Sequence, residues 1–188
     1  MKKSFLFGTL ITLATVFIIT SLMFGSDTSF GSIYKMKLTS TTFNNNERLP
    51  REQAKEACGG KDISPDLDWG EIPDGTQSFA IIVQDIDTKA RGGFYHWILL
   101  DIPANRTSVA RGENVVGARA LKNDYQHYGY TGPCPQYGEH RYSFTVYALD
   151  TAKLDVTEND LPKDIEAKAA YHAIETAKLI GVYKKYGN

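Results

Sequence analysis

The sequence predicts a β-dominated domain closed by one helix at its C-terminal end, and three observations predict it. Phe79 to Asp85 is dense in Ile and Val, and Trp97 to Ile102 is a second apolar run that stops at Pro103, so both read as strands. His140 to Leu149 alternates, with Tyr142, Phe144, Val146 and Ala148 on one face and Arg141, Ser143 and Thr145 on the other. Only Leu161 to Tyr183 carries a helical period, in Ile165, Ala169, Ala173, Ala177 and Ile180, with Asp160 placed to cap it and Pro162 in its first turn.

The chain begins differently. Lys2 and Lys3 precede Phe5 to Phe24, twenty residues without a charge. At about 1.5 Å per residue a helix of that length covers roughly 30 Å, the thickness of a bilayer's hydrocarbon core. Positive charge before the span and Asp27 after it place the tail inside and the rest of the chain outside. Residues 1–30 therefore read as an export signal or N-terminal membrane anchor, and residues 31–188 as one exported domain, periplasmic or extracellular. An anchor would hold that domain to the inner membrane through residues 5–24. No cysteine follows the span closely, so a lipoprotein attachment has no acceptor.

Within the domain, Ile33 to Phe43 reads as a first strand, and Asn44 to Asp68 as mostly loop with a short strand near Arg48. Arg106 to Gly132 is irregular and long enough to cover or build a site. The 188 residues carry 21 Lys and Arg against 22 Asp and Glu, a formal net charge of -1, and 42% are hydrophobic. Such a chain is too apolar for disorder and has no basic footprint for nucleic acid. Neither of its two cysteines sits in a zinc spacing.

Export changes the meaning of Cys58 and Cys134. In an oxidising compartment two well-separated cysteines are most simply a disulfide. The functional alternative is a nucleophilic Cys134 near His140.

The polar residues converge at strand ends. Asp85 and Asp87 close one strand, and His96 opens the next after a short connection, so a hairpin brings them to the same edge. Period-two alternation puts Asp85 on the face of Phe79, Ile81 and Val83, and His140 on the face of Tyr142 and Phe144. A carboxylate there would orient a histidine and fix its tautomer. Each residue also has a bland reading: turn-capping aspartates, a satisfied core histidine at His96, and an Arg141 that pairs with an aspartate. A metal held by Asp85, Asp87, His96 and His140 is chemically conceivable but lacks a supporting spacing, and no metal or cofactor is expected. Tyr125, Tyr128, Tyr130 and Tyr137 suit core and loop packing equally well.

Taken in order, Ile63-Ser64-Pro65-Asp66-Leu67-Asp68-Trp69, Asp85-Ile86-Asp87, His96-Trp97, Gly132-Pro133-Cys134-Pro135 and Gly138-Glu139-His140-Arg141-Tyr142 resemble the phosphatidylethanolamine-binding proteins, most nearly the bacterial Raf kinase inhibitor-like branch. His172-Ala173 through Tyr183 is similar to that family's closing helix. The resemblance implies a large central antiparallel sheet with Greek-key connections, a smaller flanking sheet and a C-terminal helix. It implies a small anion pocket for phosphate or a phosphorylated headgroup, lined by Asp85, His96, Gly132, His140 and Tyr142, with Asp87, Pro133 and Arg141 in support. A phosphoryl group would meet His96 and His140, one or both protonated, and backbone N–H groups around Gly132. The function so implied is recognition without catalysis, with an unknown protein partner inhibited or modulated by binding. A histidine- or metal-assisted hydrolase built on the same cluster is the alternative. Two departures stand out: both prolines of the family's Asp-Pro-Asp-x-Pro are missing from Asp85 to Lys89, and Cys134 replaces a proline, a substitution that looks like bacterial exported members and supports a disulfide to Cys58.

Overall fold

The computed structural model describes residues 35–89 and 92–185. Its centre is a six-stranded sheet built from β2 (Glu47–Arg48), β4 (Ser78–Asp85), β5 (Phe94–Pro103), β7 (Arg119–Leu121), β8 (Glu139–Leu149) and β9 (Ala173–Lys184). The spatial order is β2-β9-β8-β4-β5-β7. β1 (Lys37–Thr39), β3 (Leu67–Gly70) and β6 (Ser108–Val109) form a smaller antiparallel sheet, and α1 spans Pro162–Tyr171. β4 and β5 form the expected hairpin, and β8 returns to the free side of β4, so that β8-β4-β5-β7 is a Greek key.

The central sheet is covered on both faces, which explains why β4 reads as an unbroken apolar run. Phe79, Ile81, Val83, Trp97, Leu99, Tyr142 and Phe144 pack toward Leu38, Leu67 and Trp69 of the small sheet. Ala80, Ile82, Ile98, Leu100, Tyr147 and Leu149 pack on the opposite face with Ile165 and Ala169 of α1. Glu166 fixes the helix there, accepting from the hydroxyls of Tyr95 (2.5 Å) and Tyr147 (2.8 Å).

Three expectations are corrected. First, the closing helix ends at Tyr171, and residues 173–184, read from sequence as its continuation, are β9, paired with β8 from Ala173↔Leu149 to Lys184↔Glu139. The reason is arithmetic: an i, i+4 spacing is close to one helical turn and is also two full strand periods. Ala173 and Ala177 fit both patterns, but Ala177, Leu179, Gly181 and Tyr183 are buried at every second position. Asp160 is not the cap; its carboxylate accepts from the Thr157 amide at 2.6 Å, and Leu161 stands at the cap without a side-chain bond. Second, the central sheet is mixed, because β2 runs parallel to β9. Third, the first strand is short, Lys37–Thr39, set by the buried Leu38.

Cys58 and Cys134 are joined, with Cα atoms 5.7 Å apart. Among the described residues no helix is long and apolar enough to cross a membrane. Residues 5–24, where a membrane-length span is expected, lie outside the described residues. Serine at both Cys58 and Cys134 should lower the free energy of unfolding by about 3–5 kcal/mol, because the bridge closes a long loop. Denaturant titration checks this, and an unmoved midpoint would refute it.

Candidate functional site

The end of β4, the start of β5 and the start of β8 lie side by side in the sheet, with Asp85 in register with Phe94 on one neighbour and Tyr142 on the other. A cleft of about 780 Å³ opens there, bounded by Asp85, Phe94, His96, Tyr125, His140 and Tyr142, with Cys134 to Tyr137 forming one wall.

Asp85 is 5% exposed and fully engaged. Its Oδ1 accepts the amides of Asp87 (3.0 Å) and Thr88 (3.1 Å), which folds the chain into a tight turn after β4. Its Oδ2 lies 2.7 Å from His140 Nδ1. A carboxylate only accepts, so Nδ1 carries the proton and Nε2 of His140 is left for other partners. Burial first, then the nearby Asp85 charge, pushes the Tyr142 phenol upward, so it stays protonated.

His96 is 2% exposed. Its Nδ1 donates to the Thr131 carbonyl at 2.7 Å, and the Thr131 amide donates back to the His96 carbonyl at 2.9 Å. Burial pushes the His96 imidazole below its ordinary value, against the opposing backbone of Thr131, the charge of Asp85 and the backbone of Gly132. His96 is therefore neutral, and its Nε2 is an acceptor. Of the one or two protonated histidines expected, His96 is the one that burial disfavours, because an imidazolium so deeply buried is costly. The ring is held edge-on by Tyr142 (5.2 Å), Phe94 (5.4 Å) and Tyr125 (5.6 Å).

Asp87 and Arg141 latch the turn from the other face. The guanidinium donates through Nε and Nη2 at 2.9 and 2.6 Å, and the Arg141 amide adds a third bond at 2.8 Å. The Ile86 amide donates to the Arg141 carbonyl at 3.1 Å, a bond that a proline at 86 would lack. Hydrogen bonds thus supply the rigidity that the missing prolines would otherwise give.

The Gly132 amide is already engaged. It donates to Asp62 Oδ1 at 2.7 Å, and a Cβ at this residue would fall 2.1 Å from the Gln53 carbonyl oxygen. Gly132 thus packs the loop against residues 53–55, while its backbone still acts on His96. Pro133 accepts the Lys55 amide at 3.1 Å and so supports the wall from behind.

Asn123, absent from the sequence reading, organises this region. Completely buried, it donates to the carbonyls of His96 and Gly129 and to Thr131 Oγ1, and it accepts the amides of Tyr125 and His127. A polar residue within a long irregular stretch has no periodicity to reveal it. Among the described residues no group of three or more His, Cys, Asp or Glu side chains is arranged to hold a metal ion.

Two packed sheets and one helix, with a His–Asp cleft at the strand ends, define a binding-protein fold of the phosphatidylethanolamine-binding type. The family model described as phosphatidylethanolamine-binding protein matches residues 39–184, and the chain belongs to that family. It is 36% identical over 156 residues to a UPF0098 protein of Aquifex aeolicus, covering 80% of this chain and 89% of the relative. The crystal structure of Escherichia coli YbcL, described as a new member of the mammalian PEBP family, superposes with a TM-score of 0.75 at 31% identity, covering 80% of this chain and 99% of that one. A phosphatidylethanolamine-binding protein homologue, CT736 of Chlamydia trachomatis, gives 0.72 at 31% identity, covering 81% and 99%.

The latch makes a pH prediction. Hydrogen bonding from Arg141, the largest cause, holds the Asp87 carboxyl at about 2 against its ordinary 3.8. A depressed carboxyl adds stability above its unfolded value and loses it as the pH falls toward the folded value, here between about pH 4 and pH 2. Because the pair is largely exposed, solvent screening keeps that contribution small. The melting temperature of Asp87→Asn should fall less steeply across that window than the wild type's, and parallel curves would refute the assignment.

Proposed function

We propose that this chain is an exported binding protein whose cleft recognises a phosphoryl group without catalysing a reaction on it. The observation that supports this most directly is the 2.7 Å His140–Asp85 pair beside the neutral, buried His96. Asp85 fixes His140 so that Nε2 faces a ligand, and protonation there creates a charge-assisted donor for an anionic oxygen. His96 Nε2, an acceptor, suits a hydroxyl or ammonium proton on the same ligand. The aromatic walls exclude water and strengthen both contacts. Family membership supports a headgroup-sized anion as the ligand.

Two further observations bear on the reading. With Cys134 in a disulfide, the thiol nucleophile that an acyl-transfer enzyme would use is not available. The same disulfide supports an oxidising compartment, and hence export through residues 1–30, either cleaved or retained as an anchor. A protein partner, modulated through the cleft mouth where Tyr137 is 84% exposed, fits this reading.

Inorganic sulfate, fully ionised near neutral pH, is the probe of choice. Its affinity for the wild type should exceed that for His140→Ala by on the order of tenfold, because the variant loses the imidazole that Asp85 orients toward the ligand. Equal affinities in the two proteins, measured by calorimetry, would sink the proposal. Mass spectrometry of the unreduced mature protein should show Cys58 and Cys134 two hydrogens short of the free thiols; a free pair would remove the compartment argument.

A further inference from the structure

Resting on the reading of the cleft as a phosphoryl site, we propose that Lys55 sets its ligand class: its ammonium, stacked on the Tyr125 wall, selects the phosphomonoester dianion over the phosphodiester monoanion. Lys55 Nζ lies 3.6 Å from the centroid of the Tyr125 ring. Tyr125 lines the cleft, and its ring meets Phe94 at 4.8 Å and His96 at 5.6 Å. The ammonium is thus one ring's thickness from the site, behind a low-dielectric wall that screens its charge far less than water would.

Its position is fixed by its backbone. The Lys55 amide donates to the Pro133 carbonyl, and its own carbonyl accepts the amides of Cys58 (2.8 Å) and Gly60 (3.1 Å). Gly132 packs so closely that a Cβ would lie 2.5 Å from the Lys55 nitrogen. The disulfide joins the same two segments three residues on. Lys55 is half-buried on this clamped segment, unlike Lys89, which stands exposed at the rim.

Charge accounting decides the ligand. Of the cleft carboxylates, Asp85 is bonded to His140 and Asp87 to Arg141. Among the described residues Lys55 is in no ion pair. The Asp62 carboxylate, whose charge also reaches Tyr125, is held by the amides of Glu56 and Gly132 rather than by Lys55, and the Lys55 charge reaches the cleft interior, since it adds to the burial that depresses His96. A second negative charge on the phosphoryl group is what a further fixed cation rewards.

The test uses the full chain in mild detergent at about pH 8, where a phosphomonoester is largely dianionic, its second pKa being about 6. Calorimetry with O-phosphoethanolamine and with glycerophosphoethanolamine should show the monoester preferred by about tenfold. Lys55→Met, with similar length and no charge, should remove that preference, weakening the monoester by about the square of the factor it costs the diester while the melting temperature holds, and Lys55→Arg should retain it. Equal affinities in the wild type, or an unchanged preference in Lys55→Met, would overturn the inference while leaving the phosphoryl site standing. Loss of both esters by the same factor in Lys55→Met at an unchanged melting temperature would likewise overturn it, making Lys55 a mere prop for Tyr125. Binding of neither ester by the wild type would bring down the phosphoryl-site reading, and this inference with it. Competition by phosphatidate-containing vesicles would assign the monoester to a lipid headgroup, and competition by soluble monoesters alone to a free metabolite; either outcome upholds the class.

Discussion

The Asp85 carboxylate is the constraint on which the site is built. Both oxygens are engaged: one holds two consecutive amides of the turn after β4, and the other holds His140 on a strand that the sheet places alongside. A buried carboxylate with unsatisfied oxygens would be costly, so the turn and the imidazole orientation are coupled through it. Replacing it would do more than subtract a ligand contact. It would release the tautomer of His140 and the register of the turn together.

That constraint works because the central sheet is rigid from both sides. The face carrying Phe79, Ile81 and Val83 is sealed by the small sheet, and the face carrying Ala80 and Ile82 by α1 and the segment around Leu154. Neither β4 nor β8 can shift by one residue without moving an apolar set to the wrong face. The polar residues at the strand ends inherit that precision. A sheet with one solvated face would position Asp85 and His140 less firmly.

Much of this was legible in the sequence, and the exceptions have physical causes. The hairpin of β4 and β5, the inward faces of Asp85 and His140 and the Arg141–Asp87 pairing follow from period-two alternation and short connections, which are local properties. β9 was not legible, because alanines spaced by four satisfy a helix and a strand alike, and only pairing with β8 decides between them. The engagement of the Gly132 amide was not legible because its acceptor, Asp62, lies seventy positions earlier, and no local pattern encodes that approach. Asn123 and Lys55 escaped for the same reason. Their importance lies in which backbone groups and which ring they meet, and those contacts exist only once the irregular loops close over the sheet. The signal that could have flagged them is composition: a buried-type Asn within a tyrosine-rich loop, and a lysine three residues before a bridging cysteine.

The charge pattern separates what the whole chain does from what the cleft does. Once Lys2 and Lys3 are set aside, the residues that remain are net acidic, so the domain as a whole repels anions at long range. Within the cleft the balance is local. Asp87 is neutralised by a bidentate guanidinium, while Asp85, bonded to an imidazole, keeps a charge that Tyr142 and His96 both feel. A cation on an aromatic ring, a histidine oriented by that carboxylate and a neutral histidine that accepts one hydrogen bond then supply the groups that meet a ligand. Such an arrangement favours short-range recognition of the right headgroup over indiscriminate capture of anions, because an anion gains only after it has entered the walls and shed its water.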